Sequence, residues 1–286
     1  MMKKLSIPGK IYLILFFILL YTPLIVLFLF SFNASNSTSV FTGFSVRWYQ
    51  ELFRDEATIA AFKNTVALAV LSSVISTILG TAAAVGFHYS RSKFYKRSMM
   101  TVTNIPMMNP DIVTGISMML LFVFAGTLFH MRGVLGFGTM LIAHISFQLP
   151  YIILNILPRL NSLDVYLTEA AEDLGCTPSQ AFFKVTLPQI RSGIFAGAIM
   201  AFTLSLDDFV ICYFVSGPTF QTLPIRIYSM TKKRVTPDMY ALSTLIFLFM
   251  LILLILINVI QSDKHAERKE KRRNRRELKK AQEAVE

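Results

Sequence analysis

Charged residues are scarce in this sequence: they make up 16% of the chain, whereas soluble domains average about 25%. Hydrophobic residues make up 54% and are gathered into long blocks such as residues 245–260. A helix of a soluble core shows a polar face at every turn, and these blocks show none. The composition therefore excludes an ordinary soluble domain and predicts an all-α integral membrane protein.

Motifs for catalysis and cofactor binding are also lacking. No G-x-x-x-x-G-K-[ST] phosphate loop occurs, and the glycine-rich stretch GVLGFG (133–138) has no preceding strand, which a dinucleotide site requires. The histidines lie in separate segments and show no metal-ligand spacing: His88, His130, His144 and His265. We therefore predict a chain that is not an enzyme and that holds neither a metal nor a cofactor of its own.

Six hydrophobic blocks are long enough to cross about 30 Å of hydrocarbon as helices. They cover residues 11–32, 64–87, 112–129, 136–157, 192–215 and 241–260. The third block would begin earlier if its first half were bent at the prolines of NIPMMNPDIV (104–113). The first block lacks a small-residue cleavage site, so it is predicted to stay as an anchor. We expect a six-span domain over 1–262 and a basic tail over 263–286.

The distribution of basic residues indicates the orientation. Lys and Arg cluster before the first span, in RSKFYKR (91–97) and in the tail at 264–280, which all fall on one side of the membrane. The positive-inside rule places that side, with both termini, in the cytoplasm. The tail either binds anionic lipid headgroups or is a solvated segment that fixes the topology. Because it is tethered to a membrane, we expect no nucleic-acid partner.

The stretch NSLDVYLTEAAEDLGCTPSQAFFKVTLPQI (161–190), between spans four and five, is punctuated as two short helices. Asp164 is predicted to cap the first helix, and Gly175 to end it in a left-handed conformation. Thr177 and Gln180 match a capping box, with Pro178 at the first helical position. The fifth span is then expected to begin after Pro188, which is predicted to stop the second helix.

The first of these helices is predicted to present one apolar stripe, formed by Leu163, Leu167, Ala170, Ala171 and Leu174.

Acidic residues flank the small alanines of this stripe: Glu169, Glu172 and Asp173. Small side chains allow another surface to approach closely, so the segment suits docking on another protein. The alternative is an amphipathic loop lying on the inner leaflet. The acids favour docking, because anionic headgroups would repel carboxylates.

Residues of this stretch stand at a spacing that resembles the EAA fingerprint of bacterial ABC-importer permeases: Glu169, Ala170, Ala171, Gly175, Val185, Leu187 and Pro188. Val185 replaces the isoleucine usual in the family. The resemblance implies a type I ABC-importer permease fold in which this segment is a coupling helix, seated in a separate cytoplasmic ATPase. ATP and Mg²⁺ would act on that ATPase.

Three further stretches resemble permeases of the spermidine/putrescine family over most of residues 60–262: TGISMMLLF, FTLSLDDFVICYFVSGP and LPIRIYSM. The resemblance implies a chain of the bacterial cytoplasmic membrane that forms half of a translocation path. A second, related permease subunit, in a heterodimer, would supply the other half. An extracellular polyamine-binding protein would dock on the outer loops around 33–60 and 216–240.

Asp207 and Asp208 lie within the apolar block of the fifth span. An ionised Asp at the bilayer centre costs about 2.5–3.5 kcal/mol, so such residues usually face a cavity or a partner. Neighbours on a helix point about 100° apart, so one aspartate is expected to face the substrate path and the other an adjacent helix or the dimer axis. The alternative is that both are structural and pair with Ser205 or Thr203.

Asp111 follows Asn109-Pro110 and is either a further path residue or a helix-start carboxylate stabilised by the helix dipole. An acidic path favours cations such as polyamines, although another small cationic or organic solute stays possible. An ion-coupled secondary transporter would use the same acids as ion sites, but it often carries an inverted repeat, and no similarity between the halves is visible.

Overall fold

The computed structural model describes residues 7–35, 40–90, 92–164, 166–232 and 237–255. These residues are almost entirely helical, and one isolated bridge pairs Asn33 with Phe44. The helices are α1 (Ile7–Phe30), α2 (Arg47–Leu52), α3 (Glu56–Tyr89), α4 (Lys93–Met108), α5 (Asp111–Leu128), α6 (Phe137–Asn161), α7 (Tyr166–Asp173), α8 (Pro178–Ala181), α9 (Leu187–Asp207), α10 (Val210–Val215), α11 (Leu223–Thr231) and α12 (Pro237–Ile255), with a π-helical turn at Phe182–Thr186. The predicted tail lies outside the described residues.

Six helical segments are long and apolar enough to cross a membrane, which confirms the predicted six-span fold: Pro8–Phe30, Glu56–Tyr89, Asp111–Leu128, Phe137–Asn161, Pro178–Asp207 and Pro237–Ile255. The second begins at Glu56 rather than at residue 64. With 34 residues it is about 51 Å long, which exceeds the hydrocarbon thickness, so polar residues of its first turns need not enter the lipid. The prolines before span three close a separate helix, α4, and α5 starts afresh at Asp111.

The fifth span differs from its prediction at both ends. Pro188 does not stop a helix, because α8, the π-helical turn and α9 run on without interruption from Pro178 to Asp207. Proline disturbs the helical turn before it, and here that turn is π-helical, with a wider hydrogen-bonding pattern that accommodates the ring. At the other end α9 stops at Asp207, and the predicted remainder of the span forms the separate short helix α10.

The chain divides into two compact units. The first comprises residues 1–54 and 230–286, as far as they are described. In it the buried Trp48 donates its indole N–H to the carbonyl of Asn33 at 2.6 Å. The second unit comprises Asp55–Ser229 and contains the segments predicted to be functional.

The core of the second unit is the packing of α3, α6 and α9. Ile152 of α6 is fully buried and meets a glycine on each neighbour. A Cβ atom at Gly80 would lie 2.6 Å from Cγ2 of Ile152, and one at Gly197 would lie 3.3 Å from the Ile152 Cα. Glycines at such crossings let helix backbones approach closely, which is the usual source of packing energy between membrane helices.

At its other end the second unit ties α11 to the start of α3. Arg226 Nη2 donates to Asp55 Oδ2 at 2.9 Å, and the backbone N–H of Leu223 donates to Thr65 Oγ1 at 2.7 Å. Burial alone would raise the pKa of Asp55, but hydrogen bonds from Thr58 and Arg226, together with the arginine charge, hold it below its ordinary value.

Candidate functional site

Two short helices joined by a tight turn, α7 and α8, cover residues 166–181 and, with Asp164 before them, are here called the elbow. Asp164 Oδ1 accepts from the backbone N–H of Tyr166 at 3.1 Å and caps α7, as predicted. Gly175 has φ +87°, its N–H donates to Glu172 O at 2.9 Å, and the N–H of Cys176 donates to Ala171 O at 3.1 Å. This pair of bonds is a Schellman motif, which confirms that Gly175 ends the helix.

The second half of the elbow is closed by a reciprocal cap. Gln180 N–H donates to Thr177 Oγ1 at 3.3 Å, and Thr177 N–H donates to Gln180 Oε1 at 3.1 Å. Pro178 occupies the first helical position, where no N–H is needed. The predicted capping box is therefore confirmed. Because both helix ends are satisfied within the elbow, the segment is stiff without help from a partner.

The predicted single stripe on α7 divides into two faces. Ala171 is buried against the chain, and Leu163 packs on the core. Leu174 is 87% exposed, and Leu167 and Ala170 are also exposed. The reason is that α7 has only eight residues and rests on α8 and the π-helical turn along a narrow line. The described part of the chain thus leaves an apolar patch edged by acids uncovered.

A groove separates the elbow from the end of α3. Val85 and Tyr89 line one wall, and Thr168, Glu172, Phe182 and Phe183 line the other.

The residues of the EAA-like spacing fall into outward and inward sets. Glu169 and Ala170 point outward on the elbow, while Ala171 is buried. Leu187 packs on the core cluster, Val185 is half-buried and Pro188 is exposed. Leu187 therefore anchors the start of α9 to the core of the second unit.

The two aspartates of the fifth span occupy different environments because the helix breaks between them. Asp207 is the last residue of α9 and is exposed. Asp208 is extended, with ψ 115°, and its side chain is only 10% exposed. Its Oδ1 accepts from Ile211 N–H at 3.3 Å and its Oδ2 from Cys212 N–H at 2.9 Å. Asp208 thus provides acceptors for the free N–H groups at the start of α10.

A buried chain of hydrogen bonds continues from Asp208 across three helices. His144 is fully buried, with Nε2 3.4 Å from Asp208 Oδ2 and Nδ1 2.7 Å from Ser205 Oγ. Gln148 donates to Ser72 Oγ at 3.1 Å, and Ser72 donates to Ser205 Oγ at 3.2 Å. The chain thus links α3 and α9 to Asp208 through the ring of His144.

This network is one that the sequence analysis missed. Ser205 and Thr203 were the expected partners of the aspartates. Ser205 instead contacts His144, and Thr203 donates to the carbonyl of Ile199 at 2.9 Å. His144 lies far from Asp208 and Cys212 in the sequence, so no local spacing signals the group. One local signal could have located the break: Asp208 stands just before the apolar residues of α10, where a helix N-cap is expected.

His144, Asp208 and Cys212 also bring three possible metal-ligand atoms within 4.8 Å of one another. Imidazole, carboxylate and thiolate together suit zinc. Here, however, both carboxylate oxygens accept backbone N–H groups. The group is complete as a hydrogen-bonded network, and we assign it a structural role that keeps α10 in register with α6.

Asp111 is the first residue of α5, directly after Pro110, and it is exposed. It lies where a carboxylate complements the helix dipole.

Comparison with known proteins supplies the family. Residues 76–262 match the family described as binding-protein-dependent transport system inner membrane component. The chain is 40% identical over 241 residues to the putrescine transport system permease protein PotI of Escherichia coli K12, covering 84% of this chain and 85% of that protein. It is 37% identical over 229 residues to the spermidine/putrescine transport system permease protein PotC of the same strain, covering 79% and 83%.

Solved structures show the same fold. A chain of a bacterial ABC transporter that imports the acidic polysaccharide alginate superposes with a TM-score of 0.69 at 19% identity, covering 87% of this chain and 91% of that one.

Proposed function

The chain belongs to the family of binding-protein-dependent transport system inner membrane components, and we propose that it is a permease subunit of an ATP-driven uptake system for polyamines. The assignment of polyamines as the substrate rests on the 40% identity to a putrescine permease along 84% of the chain. The exposed carboxylate at the break in span five supports it, because a carboxylate facing a path favours a cation.

The elbow is proposed to be the site where a cytoplasmic ATPase drives the chain. It is capped at both ends and presents an apolar patch with acidic edges, which suits a socket on another protein better than a lipid surface. It leads directly into the 30-residue helix Pro178–Asp207, so a displacement of the elbow is passed along one continuous element. ATP and Mg²⁺ act on the ATPase, and this chain binds no cofactor itself.

The remaining partners follow from the same proposal. One six-span chain supplies half of the path, and a related second permease supplies the other half. With the elbow facing the ATPase, both termini lie in the cytoplasm. The loops around 33–60 and 216–240, where Asp55 and Arg226 anchor α11, then face outward and receive the polyamine-binding protein.

Asp207 is proposed to face the path, and Asp208 to be a positioning residue that holds the break. Asp111, the third acidic residue predicted near the path, lies at the start of α5, where a carboxylate complements the helix dipole, and is proposed to be structural. Asp208 is excluded from direct substrate contact by its bonds to α10 and His144.

The test is reconstitution of the complete complex in liposomes: this chain, the second permease, the ATPase pair and the binding protein. We expect uptake of radiolabelled spermidine or putrescine that requires internal ATP, and ATP hydrolysis that rises when loaded binding protein is added. Uptake driven by an ion gradient without the ATPase, or no polyamine uptake at all, contradicts the proposal.

The elbow is tested in the same complex by cysteine crosslinking in a Cys176→Ser background. Ala170→Cys on the exposed face of α7 is expected to crosslink to the ATPase, whereas Ser146→Cys, exposed on α6, is not. Glu169→Lys is expected to leave the chain inserted and to abolish the stimulated ATP hydrolysis. Normal stimulation in that variant would remove the elbow from the coupling mechanism.

A further inference from the structure

Three aromatic rings cluster on the far side of the helix break from α9. Phe209 and Tyr213 stand one turn apart, joined by a 2.8 Å bond from Tyr213 N–H to Phe209 O, with ring centroids 5.5 Å apart. Tyr228 of α11 lies 4.7 Å from the Phe209 ring and 5.5 Å from the Tyr213 ring. The Tyr213 side is open, since this residue is 47% exposed.

From this arrangement we propose that Asp207 and the cluster of Phe209, Tyr213 and Tyr228 form an ammonium-binding subsite in the substrate path. The inference rests on the proposed polyamine transport and deepens it, because it names the groups that hold the substrate. Asp207 binds one ammonium group, and the exposed ring of Tyr213 takes another through a cation–π contact.

The chemistry of a polyamine matches the spacing of these groups. An ammonium group within about 6 Å of a ring centroid is attracted to the ring face, and rings 4.7–5.5 Å apart allow one cation to contact more than one of them. The Cα atoms of Asp207 and Phe209 are two residues apart, hence at most about 7 Å. The Tyr213 ring lies 5.5 Å from the Phe209 ring, so an extended diaminoalkane can reach from Asp207 to the Tyr213 ring with its methylene stem against Phe209.

The exposed carboxylate decides between this proposal and a purely apolar contact with the second permease. An interface of aromatic rings alone would be dry, and an ionised Asp207 at its edge would be unfavourable within the membrane. A path that holds water and a cation removes that cost. Of the three rings, that of Tyr213 shares the exposure of Asp207.

The experiment measures equilibrium binding of radiolabelled spermidine to the complete complex, arrested with Mg-ATP and vanadate and freed of binding protein. Tyr213→Leu and Asp207→Asn are each expected to weaken binding about five- to thirtyfold. Tyr213→Phe keeps the ring and should recover most of the loss caused by leucine. Tyr12→Leu, an exposed tyrosine of α1 outside the cluster, is the matched control and should bind as the wild type does.

The outcomes separate the two proposals. Wild-type polyamine uptake together with unchanged spermidine binding by Tyr213→Leu, or with no measurable binding in the arrested state, overturns the subsite alone. Loss of the second permease from purified Tyr213→Leu complexes shows that the rings form a subunit interface and also overturns it. A wild-type complex that takes up no polyamine overturns the proposed function and the subsite together.

Discussion

Replacing Asp208 by Asn tests whether this residue holds the break in the fifth span rather than substrate. Asp208 Oδ2 accepts from Cys212 N–H at 2.9 Å and faces His144 Nε2 at 3.4 Å. An amide placed there loses the charge and, in either orientation, turns its NH₂ group toward an N–H. Hydrogen bonds to charged groups contribute about 1.5–3 kcal/mol each, and breaking a buried pair costs about 3–5 kcal/mol.

We therefore expect Asp208→Asn to lower the free energy of unfolding by about 3–5 kcal/mol, which corresponds to a fall of roughly 10 °C in melting temperature. Asp207→Asn is exposed and should change stability by less than about 0.5 kcal/mol while still reducing uptake. Thr203→Ala, exposed one turn earlier on α9, is the control for a neutral change. The measurement is thermal unfolding of the purified chain by fluorescence-detected size exclusion. Equal melting of the two Asn variants would refute the assignment.

Further predictions concern the elbow, the helix core and the outer anchor. In Gly175→Ala the alanine must adopt φ +87°, at a cost of about 1–2 kcal/mol, so the elbow should shift. The loaded binding protein should then stimulate ATP hydrolysis less than in the wild type, while membrane flotation should show normal insertion. Gly80→Ala would put its Cβ 2.6 Å from Ile152 Cγ2 and should destabilise the chain by about 1–3 kcal/mol; Ile152→Ala removes that atom, so the double variant should melt higher than the sum of the single effects predicts. The pKa of Asp55 in the folded chain lies below its ordinary value of 3.8. The ion pair with Arg226 therefore contributes stability above about pH 4, and this contribution is lost as the pH falls through the folded pKa. The melting difference between wild type and Asp55→Asn should therefore be present at pH 7 and shrink below about pH 4, and a pH-independent difference would contradict this.

The sequence was most informative where structure depends on local contacts. The caps at Asp164, Gly175 and Thr177 were predicted because each uses groups within a few residues of itself. The six spans were predicted because hydropathy reports directly on the lipid environment. The π-helical turn before Pro188 was missed, because proline alone predicts a stop and gives no sign of a wider turn.

Contacts between distant segments could not be predicted in the same way. The buried ring of His144 reaches Ser205 and Asp208 only because α6 and α9 cross at close range. Hydropathy counts each of these polar residues as a small interruption of an apolar block, whereas in the fold they satisfy one another. The two faces of α7 were missed for a related reason: periodicity defines a stripe, but only the neighbours decide which part of it is covered.

The aspartate pair shows how the break changes the mechanism. Within one continuous helix the two side chains would point about 100° apart. In the fold α9 ends between them, so Asp207 belongs to the helix that begins at the elbow, while Asp208 belongs to α10. The bond to His144 and the packing of α10 on α5 keep Asp208 with its neighbours. His144 also contacts Ser205 of α9, so one buried ring holds both sides of the break while Asp207 stays exposed between them.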